Sequence, residues 1–504
     1  MSTSKPISPS VGRQILEIVT AGMYSDPRMI YREFVQNAAD SLDAAYEEGV
    51  LKPGTGRIEI AIDGAGRNVR VQDNGLGIPF DEVEEKLGSL GNSAKENSRQ
   101  RGFRGIGRLG GLAHCDLLRF ETRSRAENRV SVVAWDGRGL RSAIEASGRR
   151  ESLTDVVRRI ATVDSRPARP DDPPHFFRAE MLNVHRFHAD LLMSVEAVRQ
   201  YLSQEAPVSF DNEKFAFADE VDNHLNCVPG FRSYELRVND LRVYRPHENR
   251  FAINDSTSDV IRGIEKVEFK GIDGSVLARG WYAKTALLAN LPRSCAMRGI
   301  RVFQGNISIG DEYALEGIYS ERRFATWHVG AIHVSPALRP NARRDGFEET
   351  AAYEKFLETA ALLGKVLSKQ CRDLSKLRAS KQSADKRLSF VEKALKVDFF
   401  IDEAHRDTAI RDVQKNLALL ESTAQKAADG VYETRLKNLQ RKLEVLQGEP
   451  PLLAKQLDSR KLDRVAPQEL LQRVCTLILK SSQKKNEQPH HLLRQVVEPF
   501  LKTR

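Results

Sequence analysis

The chain has 504 residues, 40% hydrophobic and 29% charged, a balance that excludes disordered and collagenous proteins and provides for two to four domains. Its formal charge of +9 is unevenly spread: residues 1–365 hold 50 basic and 51 acidic side chains, whereas residues 366–504 hold 28 and 18. No run of 18 or more apolar residues is present, and the five scattered cysteines form no C-x-x-C, so a membrane span, a disulfide framework and a zinc site are all disfavoured.

The opening MSTSKPISPS lacks the apolar core of a signal peptide, and a cytoplasmic chain with no membrane partner is expected. Arg13 to Met23 and Arg28 to Glu48 carry apolar residues at helical spacing, the latter as Ile30, Phe34, Val35, Ala38 and Leu42. Arg57 to Asp63 and Asn68 to Gln72 alternate as strands do. A polar stretch from Gly88 to Arg101 precedes a glycine loop and a helical segment, Leu109 to Cys115. Strand signals dominate further on, at Tyr234–Val238, Lys266–Phe269 and Ile300–Phe303. From Ala342 to Glu449 there is no proline, and the apolar spacing is helical: Leu388, Val391, Leu395; Ile410, Val413, Leu417, Leu420; Leu436, Leu439, Leu443, Leu446. Gly448-Glu-Pro-Pro451 closes that stretch, and a last helical segment runs from Pro467 to Lys480. The expected architecture is α+β, with a mixed domain over 1–215, a second over 216–365, a helical hairpin or coiled coil over 366–450 and a terminal helical segment over 451–504.

Four segments carry chemistry. In the second helix Glu33, Asn37 and Asp40 stand at i, i+4 and i+7, so three polar groups share one face among apolar neighbours. A magnesium-nucleotide would explain them, since an amide oxygen can ligate Mg²⁺ and a carboxylate can orient water; a solvated helix face explains them equally. Val71-Gln-Asp73-Asn-Gly75-Leu-Gly77-Ile78-Pro79 ends a strand on a carboxylate and continues in glycines, which let a ligand approach the backbone. Such an Asp can accept from an exocyclic amine such as that of adenine, although Asp-Asn-Gly is also ordinary turn chemistry. Arg101-Gly102-Phe-Arg-Gly105-Ile106-Gly107-Arg then opens a helical segment whose N-terminal amides favour phosphate. A dinucleotide fold would place that loop directly after its first strand, which this chain does not, and there is no G-x-x-x-x-G-K-[ST]. The fourth segment is Pro340-Asn341-Ala-Arg343-Arg344-Asp-Gly-Phe347.

Glu-x-x-x-Asn, Asp-x-Gly-x-Gly and Gly-x-x-Gly-x-Gly in this order resemble the GHKL ATPases with their Bergerat fold, and within that group the ninety-kilodalton heat-shock chaperones. Tyr24-Ser-Asp-Pro-Arg-Met-Ile-Tyr-Arg32-Glu33-Phe-Val-Gln-Asn37-Ala-Ala-Asp40 is similar to that family's first motif nearly residue by residue. The resemblance implies a Bergerat sandwich followed by a ribosomal S5 domain 2-like middle domain. It implies Glu33 as the carboxylate that activates water, with Arg32 beside it, and Asn37 as the magnesium ligand, with Asp40 also in the nucleotide site. Asp73 would read adenine, Gly75, Gly77 and Ile78 would line its pocket, and Gly102, Gly105, Ile106 and Gly107 would form the phosphate loop. Residues of about 81–104 would be a lid hinged at Gly91, Gly102 and Gly105, with Lys95 either on phosphate or in solvent. Arg344, rather than Arg343, would reach the γ-phosphate when the domains close.

This chain departs from the family pattern in two places. His175-Phe-Phe-Arg178 stands where the family has a Gly-Thr pair beside the adenine-bound Asp, and beyond about residue 365 the similarity ends. The implied function is an ATP-dependent, chaperone-like conformational clamp that acts on a client or effector protein as a homodimer. A second reading keeps the ATPase and makes it a clamp on nucleic acid, in repair, chromatin or defence, gripping phosphate through the basic C-terminal helices. Interleaved acids along those helices fit solvated coiled-coil flanks equally well.

Overall fold

The computed structural model describes residues 26–88, 107–145, 152–186, 189–341, 343–396, 403–427 and 430–448. The expected helix at Arg13–Met23, most of the lid and the segment Pro467–Lys480 lie outside them. The chain divides into two compact units, residues 1–374 and 375–504.

In the first unit, α1 (Met29–Glu47) buries Ile30, Tyr31, Phe34, Val35, Ala38 and Leu42, the period read from the sequence. It packs on one face of an eight-stranded sheet of order β5-β4-β3-β6-β2-β1-β7-β8. The strands are β1 (Arg57–Asp63), β2 (Asn68–Asp73), β3 (Leu117–Arg123), β4 (Arg129–Asp136), β5 (Ala161–Pro167), β6 (Phe176–Leu182), β7 (Glu235–Val238) and β8 (Leu241–Arg242). Neighbours are antiparallel except β1 and β7, which run parallel. The sheet therefore takes its last strands from chain well past residue 215.

Period-two alternation turns Ile58, Ile60 and Ile62 of β1 and Val69 and Val71 of β2 toward α1. Fully burying one such side chain is worth about 1.5–3 kcal/mol, so register is strongly specified. The same alternation carries Asp73 into the next inward position, 3% exposed. Between the layers, Gly107–His114 is a 3₁₀ helix, over most of the helical segment expected from Leu109 to Cys115. Gly107, Gly110 and Gly111 weaken α-helical propensity there and let the segment sit close to its neighbours.

A two-stranded ribbon of β9 (Arg250–Asn254) and β10 (Thr257–Val260) comes next, and then a second sheet built from β11 (Ile264–Lys270), β12 (Val276–Ala283), β13 (Gly299–Gln304), β14 (Ile307–Ile309) and β15 (Val329–Val334) in the order β11-β12-β15-β13-β14. Here β13 and β15 are parallel, and β15 is buried along its whole length. Its core draws Phe356, Ala360, Leu367 and Cys371 from a long helix spanning Ala351–Ala394. Mixed sheets and helices thus form the α+β architecture expected.

The second unit begins within that helix and adds helices at Glu403–Ala427 and Gly430–Gly448. Leu388 and Val391, Val413, Leu417 and Leu420, and Leu436, Leu439 and Leu443 bury together as one three-sided cluster. Three apolar runs thus close on one another, where the spacing alone allowed a two-helix hairpin. Among the described residues no helix is long and apolar enough to cross a membrane.

Candidate functional site

The first three turns of α1, which packs against β2, carry Arg32, Glu33, Asn37 and Asp40. These are not groups on a solvated face: the Arg32 side chain is 3% exposed, that of Glu33 13%, and Asp40 is buried. The Arg32 guanidinium lies 3.6 Å from the Glu33 carboxylate. Gly107 closes on Glu33 from the other side, so tightly that a Cβ there would fall on the carboxylate. The start of the 3₁₀ segment therefore meets the candidate catalytic carboxylate directly, and a side chain at 107 would have to displace it.

Asp73 sits below. The Gly75 N–H donates to its Oδ1 at 2.8 Å, and Ser41, one turn along α1, supplies a side-chain hydrogen bond. Burial nonetheless dominates and pushes the Asp73 carboxyl from 3.8 up to about 7, with the Gly75 and Ser41 hydrogen bonds working against it. Gly77 takes φ +69°, and a side chain there would strike the Arg123 carbonyl, so the turn after Asp73 is fixed by glycine conformation. The Ile78 N–H donates to Thr122 Oγ1 at 2.8 Å, and that hydroxyl donates on to the Phe176 carbonyl at 3.0 Å. His175 Nδ1 lies 2.7 Å from the Gly75 carbonyl oxygen. The segment His175–Arg178 thus borders the turn after Asp73, with Phe177 in register opposite Asp73. Ser41, Thr122 and His175 were not singled out from sequence for these contacts. A hydroxyl facing a buried carboxylate carries no local signature, and the departure from a Gly-Thr pair was the one clue near His175.

The fourth segment arrives from the far end of the chain. β15 leads into a tight loop closed by a bridge between Pro340 and Phe347 and by Asn341, whose amide donates to Asp345 Oδ1 at 2.6 Å. Arg344 sits in this loop at φ +55°, a left-handed conformation unfavourable for a long side chain, and is only 6% exposed. Its carbonyl accepts the Gly310 N–H at 2.8 Å, which ties the loop to the end of β14. Arg343 is exposed, and its carbonyl accepts Arg32 Nη2 at 3.2 Å. Arg32, Glu33, Gly107 and the Arg343–Arg344 backbone are therefore brought together across more than 300 residues of chain. Lys95, Gly102, Gly105 and Ile106 lie outside the described residues.

Residues 28–156 match the family of histidine kinase-, DNA gyrase B- and HSP90-like ATPases. Curated relatives include the chaperone protein HtpG of Chromobacterium violaceum, 26% identical over 164 residues covering 29% of this chain and 26% of the relative. HtpG of Bacillus licheniformis is 23% identical over 247 residues, covering 45% of this chain and 38% of the relative. HtpG of Rhodococcus jostii is 26% identical over 251 residues, covering 45% and 37%. The chain thus spans well under half the length of these relatives. It carries a GHKL ATPase domain, within which every candidate residue but Arg344 falls.

Proposed function

We propose that the protein is an ATP-driven conformational clamp of the chaperone type. Adenine is read by Asp73 in the pocket bounded by Gly75, Gly77 and Ile78, and the phosphates lie toward Gly107 and the glycine loop, beneath a lid. Glu33 orients the water that attacks the γ-phosphorus and takes up its proton, and ADP leaves. Arg344 stabilises the charge that develops on the transferring group. Asp40 supports the polar face on which Asn37 stands.

The donor set suits a magnesium ion delivered by the nucleotide. Asn37 offers one neutral amide oxygen, and among the described residues no cluster of three His, Cys, Asp or Glu could hold a metal alone. Bound through Asn37 and phosphate oxygens, Mg²⁺ would neutralise charge on the phosphates.

The observation that carries the proposal is the hydrogen bond from Arg32 Nη2 to the Arg343 carbonyl. It seats a loop that bears a buried arginine in an unfavourable backbone conformation beside the carboxylate a hydrolase needs. The decisive experiment is steady-state ATP turnover by the full chain and by Glu33→Ala, with nucleotide affinity measured in parallel. Turnover should fall about a hundredfold or more while affinity persists; a variant as active as the wild type would refute the assignment.

A client or effector protein and a homodimeric assembly complete the proposal, supported by the chaperone relatives. The apolar stripe that could serve as a dimer seam in the C-terminal helices is buried within one chain's own cluster, so dimer contacts would use other surfaces.

A further inference from the structure

Glu205 sits at the C-terminal end of a helix, Val195–Glu205, capped at its start by Ser194, whose Oγ accepts the Ala197 N–H at 3.3 Å. Val198 and Leu202 anchor the helix in the core, Pro207 follows the C-cap Ala206, and Glu205 is delivered to a site where it is only 7% exposed. A carboxylate at a helix C-terminus faces the negative end of the helix dipole and, once buried, is costly unless cations and donors hold it. Among the described residues three groups hold this one. Arg301 Nη1, on β13, lies 3.2 Å from Glu205 Oε1, Ser308 on β14 donates its hydroxyl to Oε2, and Arg32 Nη1 lies 3.9 Å from Oε2.

Two of these partners lead back to the candidate active site. The Arg32 guanidinium is shared between Glu205 at 3.9 Å, Glu33 at 3.6 Å and the Arg343 carbonyl at 3.2 Å. Ser308 lies two residues before Gly310, whose N–H holds the Arg344 carbonyl at 2.8 Å. One carboxylate therefore fixes both the guanidinium beside Glu33 and the strand to which the arginine loop is stitched. Loss of Glu205 removes one of the two carboxylates that share the guanidinium, so Arg32 would shift toward Glu33, already 3.6 Å away.

Resting on the ATPase reading above, we infer that Glu205 is a positioning residue for ATP hydrolysis. It shares the Arg32 guanidinium with Glu33 and so restrains Arg32 from closing further on the Glu33 carboxylate, and through Arg32 and Ser308 it sets the Arg344 loop against α1. It touches neither nucleotide nor the reacting atoms, so its loss should slow turnover and spare binding. Displacement of catalytic groups by about an ångström costs turnover on the order of a hundredfold, and a partial displacement about tenfold.

The test uses the full chain, with kcat and KM for ATP, affinity for a fluorescent ATP analogue and a thermal melt for each variant. Glu205→Gln should lower kcat about tenfold with analogue affinity within about twofold of the wild type. Ser308→Ala, which weakens the anchor without removing the carboxylate, should lower kcat about threefold. Glu205→Gln added to Arg32→Lys should cost little beyond Arg32→Lys alone, because the two act through one guanidinium. A merely structural Glu205 would lower the melt and leave kcat per folded molecule unchanged, which overturns the inference. If Glu205→Gln does not fold, Ser308→Ala decides, and unaltered kcat there overturns it. A wild-type chain without ATP turnover would instead refute the ATPase reading, whereas an active wild type with an equally active Glu205→Gln refutes only the role of Glu205.

Discussion

Asp73 of β2 and Phe177 of β6 stand directly opposite each other in the antiparallel register. A ring beside a carboxylate that is 3% exposed leaves the Gly75 N–H and the Ser41 hydroxyl to compensate its burial, and the carboxyl is pushed up to about 7. The folded state then holds a proton that the unfolded state releases near pH 3.9, so stability falls as pH rises from about 4 to about 7 and the full cost is present above pH 7. Asp73→Asn should therefore melt higher than the wild type at pH 8, by about 1–3 kcal/mol, and the gain should shrink toward pH 5. Its affinity for ATP should fall. Melting curves at the two pH values check the first expectation; a gain equal at both would mean that Asp73 does not titrate in this window.

Ser41 acts on the same group with the opposite sign. Its hydrogen bond favours ionised Asp73, so Ser41→Ala should cost about 1 kcal/mol at pH 8 and less at pH 5, where the carboxyl is protonated. Denaturant titrations at both pH values measure this directly. An equal loss at both would place the serine's contribution elsewhere.

The two adjacent arginines of the loop should separate cleanly. Arg344 is buried in a left-handed conformation, whereas Arg343 contributes its carbonyl and keeps its side chain exposed. Arg344→Ala should lower kcat at least about tenfold, and Arg343→Ala should stay within about twofold, since a main-chain acceptor survives substitution. Single-turnover ATP hydrolysis by the two variants distinguishes them, and equal losses would reassign the role to the loop as a whole.

Leu417 belongs to the three-helix cluster of the second unit and is 4% exposed. Leu417→Ala should destabilise that unit by about 2–5 kcal/mol and leave the native mass of the protein unchanged. Mass measured by light scattering, with and without nonhydrolysable ATP, tests this. A shift from dimer to monomer on substitution would show that the cluster forms between chains.

Much of this was legible beforehand where a local period carried it. The spacing of Ile30, Phe34, Val35 and Leu42 specified α1 and placed Glu33, Asn37 and Asp40 on one face, and alternation in β2 placed Asp73. Neither decided whether that face is solvated; burial of Arg32 and Asp40 shows that it is not. Ser41, Thr122 and Glu205 were silent because each acquires its meaning from a partner contributed by another element, in the case of Glu205 and Arg301 nearly a hundred residues on. The C-terminal helices were ambiguous for another reason: a 3-4-3 repeat satisfies a seam between two chains and a cluster within one chain equally.

The parallel pairing of β1 with β7 has a practical consequence for dissecting the molecule. Arg57 to Ile60 are bonded to Glu235 to Val238. A fragment ending near residue 215 would keep α1, Asp73 and the glycine turn yet uncover β1 as a raw strand edge. Its backbone donors and acceptors would be free to template another copy. Such a fragment is expected to aggregate, and insolubility in it would report a severed sheet and nothing about nucleotide chemistry.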